Sequence, residues 1–92
     1  MKETLEKIKS DYQQLKSLSV SEDGDGILLK GARYRAGNSN NKATLAQVDY
    51  LMGMDNVDAR SRSNLLKGNK WFLSACISIA KNYPNTKFYV SL

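Results

Sequence analysis

The sequence predicts a small α+β domain in which a two- or three-stranded antiparallel sheet packs on an N-terminal helix and two or three further helices. Apolar residues recur at helical spacing near the N-terminus, and two Asp-Gly dipeptides separate two short apolar runs. A long apolar segment is followed by a proline and a last run of β-forming residues. We expect strands at about 18–21, 27–36 and 86–91 within one domain, residues 1–92.

The first predicted helix is defined by a narrow apolar stripe. Its members recur at steps of three or four residues and so share one helical face: Leu5, Ile8, Tyr12, Leu15 and Leu18. Glu3 and Lys7 form an i,i+4 pair of favourable orientation on the same helix. We expect the stripe to face the core and the helix to end near residues 17–19.

The segment SEDGDG, residues 21–26, predicts a tight turn between the first two strands. The strand that follows alternates unevenly, since its first half is apolar on both faces and its second half carries Arg33 and Arg35. Gly31 lies between the two halves, and a residue without a side chain favours a kink there.

Two features define the middle of the chain. Thr44 followed by Gln47 matches a capping box, which predicts a helix start after the polar loop GNSNNK. Gly53 is placed to end that helix in the left-handed conformation. A further helical segment begins near residue 55, and the pattern leaves open whether residues 57–83 form one bent helix or two.

The segment NKWFLSACISIAKNY, residues 69–83, is the most apolar part of the chain and predicts a helix at the centre of the domain. We expect Trp71 to lie in the core with its neighbours. Pro84 ends the helix, and TKFYVSL then predicts a closing strand that pairs with the 27–36 strand.

The composition argues against catalysis. The sequence has no histidine, the commonest general base and zinc ligand, and one cysteine, Cys76, expected to be a buried and unreactive thiol. The acidic residues Glu22, Asp23 and Asp25 partly match a calcium-binding loop, but Ala32 occupies the position that requires a bidentate glutamate. We therefore predict a protein that is not an enzyme and holds no metal or small-molecule cofactor.

The N-terminal segment MKETLEKIKS lacks the apolar stretch of a secretory signal, and no apolar run reaches the roughly 18 residues that a membrane helix needs. A single cysteine cannot form an internal disulfide. The expectation from these features is a soluble, cytoplasmic protein without membrane contact.

Charge is distributed unevenly along the chain. Residues 1–30 contain five Lys or Arg and six Asp or Glu, a net charge of −1, whereas residues 31–92 contain nine and three, a net charge of +6. The second part also contains all four arginines. An asymmetric positive field of this kind attracts polyanions or acidic protein surfaces.

The candidate binding residues are cations at predicted solvent-facing positions of this second part, together with one aromatic residue. They are Arg33, Tyr34, Arg35, Lys42, Arg60, Arg62, Lys67 and Lys70. Arginine binds phosphate or carboxylate groups bidentately and stacks on planar groups. We expect folding to bring these groups into one positive patch; the alternative is that they only solvate a strand and a helix.

Such a patch favours docking on an anionic macromolecule, in the first instance nucleic acid, with Tyr34 stacking on a base. No nucleic-acid-binding motif is matched in full; in the helix-turn-helix, for example, Asp49 replaces the small residue that the motif needs. The alternative is a phage- or mobile-element-type factor that inhibits a host protein through the same face, with Tyr34, Met52 and Met54 as apolar anchors. The partner's identity and the oligomeric state stay open.

Overall fold

Four α-helices and a three-stranded sheet make up the described part of the chain, which confirms the predicted α+β class. The structure is a computed structural model that describes residues 2–15, 18–33 and 42–92. In chain order the elements are α1 (Lys2–Asp11), β1 (Leu18–Asp23), β2 (Gly26–Gly31), α2 (Leu45–Met52), a 3₁₀ turn (Ala59–Ser61), α3 (Arg62–Leu66), α4 (Lys70–Asn82) and β3 (Phe88–Ser91).

Helix α1 forms where the apolar stripe predicts it, with Leu5 and Ile8 buried. It ends at Asp11, so the predicted end near residues 17–19 is wrong. The reason is that Leu18, counted in the helical stripe, begins β1 and pairs there with Gly31.

The hairpin of β1 and β2 confirms the predicted turn. The strands are antiparallel, and Asp23 pairs with Gly26 across the turn. Gly24 has φ +58°, a left-handed conformation that favours glycine. The Asp-Gly dipeptides therefore fix the hairpin register locally.

The third strand corrects the prediction of an antiparallel sheet. The sheet order is β1-β2-β3, and β3 runs parallel to β2, with Ile27 opposite Phe88 and Lys30 opposite Ser91. Parallel neighbours need a long crossover connection. Here α2, α3 and α4 provide it, and they return the chain to the end of the sheet at which β2 begins.

Strand β2 ends at Gly31, earlier than the predicted end at residue 36. Ala32 and Arg33 are not in a strand, and residues 34–36 lie outside the described residues. The ring of Phe72 packs directly on Gly31, where a Cβ atom would lie 2.3 Å from two ring carbons. A side-chain-free position thus lets helix α4 approach the end of β2 closely.

The start of α2 confirms the capping box. The Thr44 hydroxyl accepts from the Gln47 backbone N–H at 3.2 Å, and the Gln47 side chain accepts from the Thr44 backbone N–H at 3.2 Å. The predicted left-handed end at Gly53 is wrong, because Gly53 has φ −76° and continues the right-handed turn, donating to the Asp49 carbonyl at 2.9 Å.

Residues 57–83 form two helices and not one bent helix, since α3, preceded by a 3₁₀ turn, is separate from α4. The break lies between Leu66 and Lys70. Asn69 accepts from the Phe72 backbone N–H at 2.8 Å and so caps α4 as a new helix.

The core lies between the sheet and the helices. Its fully buried large side chains come from every layer: Ile8, Ile27, Leu29, Leu51, Leu65, Phe72, Leu73, Ile79 and Phe88. Cys76 is buried as predicted. Trp71 is not, being 57% exposed, because the core side of α4 is taken by Phe72, Cys76 and Ile79.

No helix within residues 2–15, 18–33 and 42–92 combines the length and the apolar character needed to cross a membrane.

Candidate functional site

Of the predicted binding residues, Tyr34 and Arg35 lie outside the described residues. The other six are all exposed and fall into separate regions of the surface: Arg33, Lys42, Arg60, Arg62, Lys67 and Lys70. The folded chain does not bring all of them into one patch.

The first region is an open surface groove of about 540 Å³ lined by Arg33, Lys42, Leu66 and Lys67, which we call the basic groove. Its residues come from three segments of the chain. Arg33 follows β2, Lys42 precedes α2, and Lys67 is the residue directly after α3. Folding therefore brings together cations that are up to 34 positions apart, from Arg33 to Lys67.

Backbone contacts join two of the chain segments that line this groove. Lys42 forms an isolated antiparallel bridge with Asn69, and the Ala43 N–H donates to the Gly68 carbonyl at 3.3 Å. Lys70, exposed at the start of α4, directly follows the bridged Asn69. Lys70 does not line the groove, but along the chain it is one residue from Asn69, the bridge partner of the groove residue Lys42.

The cations of the basic groove have no ion-pair partner among the described residues. The ion pairs among the described residues involve other cations, namely Arg60, Arg62 and Lys87. Their field is therefore available to a ligand, and the Leu66 side chain gives the groove an apolar contact.

Arg60 belongs to a second region, which we call the charge-paired cluster: Asp23, Asp25, Asp58, Arg60, Lys87 and Tyr89. The Arg60 Nε lies 3.1 Å from the Asp58 carboxylate, and one of its terminal nitrogens lies 3.9 Å from Asp23. Its guanidinium group also stacks on the Tyr89 ring, 4.0 Å from the ring centre.

The cluster lies towards the opposite end of β2 from the basic groove. Tyr89, on which Arg60 stacks, pairs with Leu28. At about 3.3 Å per residue, Leu28 is about 10 Å from Gly31 along the strand, and Arg33 follows two residues later. Arg60 therefore does not reach the groove.

A hydrogen bond from the Tyr89 hydroxyl to Asp25 ties the hairpin turn to β3. This bond, with the positive charges of Lys87 and Arg60, lowers the pKa of Asp25 below its ordinary value. The same bond raises the pKa of Tyr89, because ionised tyrosine could not donate it.

Arg62 is neutralised at a third place. One of its terminal nitrogens lies 2.6 Å from the Asp49 carboxylate, which joins α3 to α2 at the surface. Asp49, the residue that fits poorly in a helix-turn-helix, is thus the partner of a predicted binding arginine.

The sequence reasoning did not identify Trp71 as a surface residue. It lines a shallow cleft of about 270 Å³, which we call the Trp71 cleft: Tyr12, Leu15, Trp71, Ser74, Ala75 and Ser78. The available signal is positional, since Trp71 precedes Phe72 and so falls outside the stripe that Phe72, Cys76 and Ile79 define.

Burial removes one possible nucleophile, because it raises the pKa of the Cys76 thiol far above the ordinary value. Within the described ranges, no three His, Cys, Asp or Glu residues lie close enough together to hold a metal ion.

Comparisons of the chain with protein-family models, with curated proteins and with solved structures gave no match.

Proposed function

We propose that this chain is a non-enzymatic protein that binds nucleic acid through the basic groove and Lys70. The observation that supports this most is the convergence of cations from three segments without an ion-pair partner among the described residues. Phosphate neutralisation by Lys and Arg supplies most of the affinity in sequence-independent binding. The proposal narrows the predicted site to Arg33, Lys42, Lys67 and Lys70.

Four cations set the expected salt dependence. If each neutralises one phosphate, the logarithm of the binding constant falls with the logarithm of salt concentration at a slope of about −2.8 for single strands and −3.6 for duplex. Arg60 and Arg62 contribute little, because their charges already have carboxylate partners.

The alternative function, inhibition of a host protein through an acidic surface, uses the same cations. Its proposed apolar anchors are less favourable in the folded chain, since Met52 and Met54 are half-buried against the core. Tyr34 lies outside the described residues. The observations therefore favour nucleic acid as the partner.

The test is fluorescence anisotropy of labelled 20-nucleotide single strands and duplexes, titrated with the protein at several salt concentrations. We expect micromolar binding and the slopes given above. The variant Lys42→Glu/Lys67→Glu should bind at least about tenfold more weakly at low salt, because it replaces attraction by repulsion at two phosphates.

The matched control is Lys2→Glu/Lys9→Glu, which changes the net charge equally on the exposed side of α1. Its affinity should stay within about threefold of the unchanged protein. An equal loss in both variants would show diffuse attraction instead of a site. Absence of salt-sensitive binding to either nucleic acid would refute the proposal.

A further inference from the structure

The most exposed large apolar side chain of the described residues is Trp71, at 57%. It lies in the first turn of α4, one residue after Lys70, and borders the Trp71 cleft. A tryptophan in water leaves a large apolar surface unburied, and here that surface borders a cleft that other aromatic and apolar side chains also line.

We propose that the Trp71 cleft receives a base of a single-stranded nucleic acid whose phosphates follow the basic groove. This inference rests on the proposed function and specifies its ligand. Bases stack on aromatic side chains without sequence preference because every base has a π-face.

Charge and position determine the choice of occupant. The residues lining the cleft are uncharged, whereas Lys70 is next to Trp71 in the chain and Lys67 lies in the basic groove. Asn69, which forms the β-bridge with Lys42, is two residues from Trp71. The Cα atoms of Asn69 and Trp71 are therefore at most about 7.6 Å apart. An apolar platform near cations that have no ion-pair partner among the described residues is complementary to a ligand that alternates planar bases with phosphates.

The cleft is held open by polar contacts of its aromatic wall. The hydroxyl of Tyr12 lies 3.0 Å from the Ser78 hydroxyl and accepts from the Asn82 side-chain amide at 2.9 Å. These bonds fix the Tyr12 ring against α4, so that the cleft is preformed and little side-chain entropy is lost on binding.

A duplex does not fit this arrangement, since its bases are stacked inside the helix and present only their edges in the grooves. An unpaired strand can turn a base outward onto an aromatic surface. The ligand class is therefore single-stranded DNA or RNA.

Trp71 is the only tryptophan in the sequence, so its fluorescence reports directly on the cleft. We would titrate the protein with oligo(dT), oligo(rU) and a duplex of equal length. We expect quenching of Trp71 by the single strands at low salt and much less quenching by the duplex at equal saturation.

In anisotropy titrations, Trp71→Ala should weaken single-strand binding about tenfold and duplex binding less than twofold, with little change in salt slope. Trp71→Phe should retain most of the affinity because it keeps an aromatic face. The matched control is Tyr50→Ala, which removes another aromatic residue, 54% exposed on α2, and should leave the affinity unchanged.

Failure of this inference is distinguishable from failure of the proposed function. Salt-sensitive single-strand binding that leaves the fluorescence and the Trp71→Ala affinity unchanged overturns the role of the cleft and retains the groove. Equal losses for single strand and duplex also overturn it. No binding to any oligonucleotide overturns both. Quenching of Trp71 by the single strands together with a selective loss of single-strand affinity in Trp71→Ala supports the inference, and a preference for DNA or RNA then identifies the strand.

Discussion

The basic groove and the charge-paired cluster lie towards opposite ends of β2 and differ in how their cations are surrounded. In the groove, Arg33, Lys42 and Lys67 have no carboxylate partner among the described residues. In the cluster, Arg60 has two carboxylates and an aromatic ring. The number of cations in a region therefore does not determine how positive its surface potential is, because cations paired with carboxylates attract an anionic ligand only weakly.

Ion pairing at the surface changes the stability of the fold little but changes the electrostatic field strongly. An exposed ion pair such as Arg60 with Asp58 contributes only about 0–1 kcal/mol to folding. Yet the pair has no net charge, so at distances of about a Debye length it attracts almost nothing. The groove keeps its field because, in the part of the chain that the structure describes, no carboxylate lies within ion-pair distance of its cations.

The largest predicted effect concerns the packing beside the groove. Gly31→Ala places a Cβ atom 2.3 Å from ring carbons of the buried Phe72, and this overpacking should lower the free energy of unfolding by about 2–3 kcal/mol. Urea unfolding followed by circular dichroism measures it. Gly53→Ala is the matched control, since Gly53 has φ −76° and no contact below 3.4 Å, and we expect it to be neutral or stabilising by about 0.5 kcal/mol. A neutral Gly31→Ala would show that α4 is not held against the end of β2.

The next effect concerns the edge of β3 that does not pair with β2, next to the 3₁₀ turn that carries Arg60. The buried hydroxyl of Ser61 accepts from the Val90 backbone N–H at 2.8 Å. Ser61→Ala leaves that N–H unsatisfied and should cost about 1–3 kcal/mol of unfolding free energy, measured in the same urea experiment. The exposed Ser63→Ala should change the value by less than about 0.5 kcal/mol. Equal values for the two variants would contradict the assigned hydrogen bond.

Removing one carboxylate should convert a paired cation into an available one. Asp49→Asn releases Arg62, and we expect single-strand affinity to rise about two- to threefold with a steeper salt slope. Stability should fall by less than about 1 kcal/mol, because both side chains are about half exposed. Asp55→Asn removes the same charge at an exposed position outside the ion pairs of the described residues and should raise the affinity less. Equal gains would show that only net charge matters.

The smallest effect is present near neutral pH and is lost in acid. The hydrogen bond from Tyr89 lowers the pKa of Asp25, so this interaction stabilises the fold above the ordinary pKa of 3.8 and is lost as pH falls through the lowered value. In Tyr89→Phe the pKa of Asp25 should return towards 3.8, as measured by NMR titration of its carboxyl carbon. The stability difference between the two proteins should be largest near neutral pH and should shrink below pH 3.8. A difference that is constant with pH would assign it to packing of the ring alone.

The features that sequence reasoning predicted correctly depend on neighbouring residues. The stripe of α1, the Asp-Gly hairpin and the Thr44–Gln47 capping box each involve residues only a few positions apart. Their physical cause, a helical period or a turn conformation, can therefore be recognised from a few consecutive residues.

The features that it missed depend on distant residues. The direction of β3 is determined by how three helices pack between it and β2. The partners of Arg60 and Arg62 include Asp23 and Asp49, which are 37 and 13 positions away. Among the candidate residues, Lys42 and Lys67 line the same groove as Arg33. No local sequence pattern distinguishes these three cations from the arginines that form ion pairs.

The parallel register of β2 and β3 has a kinetic consequence. Ile27 and Phe88, which lie opposite each other, are 61 positions apart, so the sheet closes only after a long stretch of chain has been ordered. Contacts of such high sequence separation raise the contact order and slow folding relative to helical domains of the same length. The hairpin can form early by itself, whereas the last strand must wait for the helices to collapse around Phe72, and that late closure is expected to limit the refolding rate.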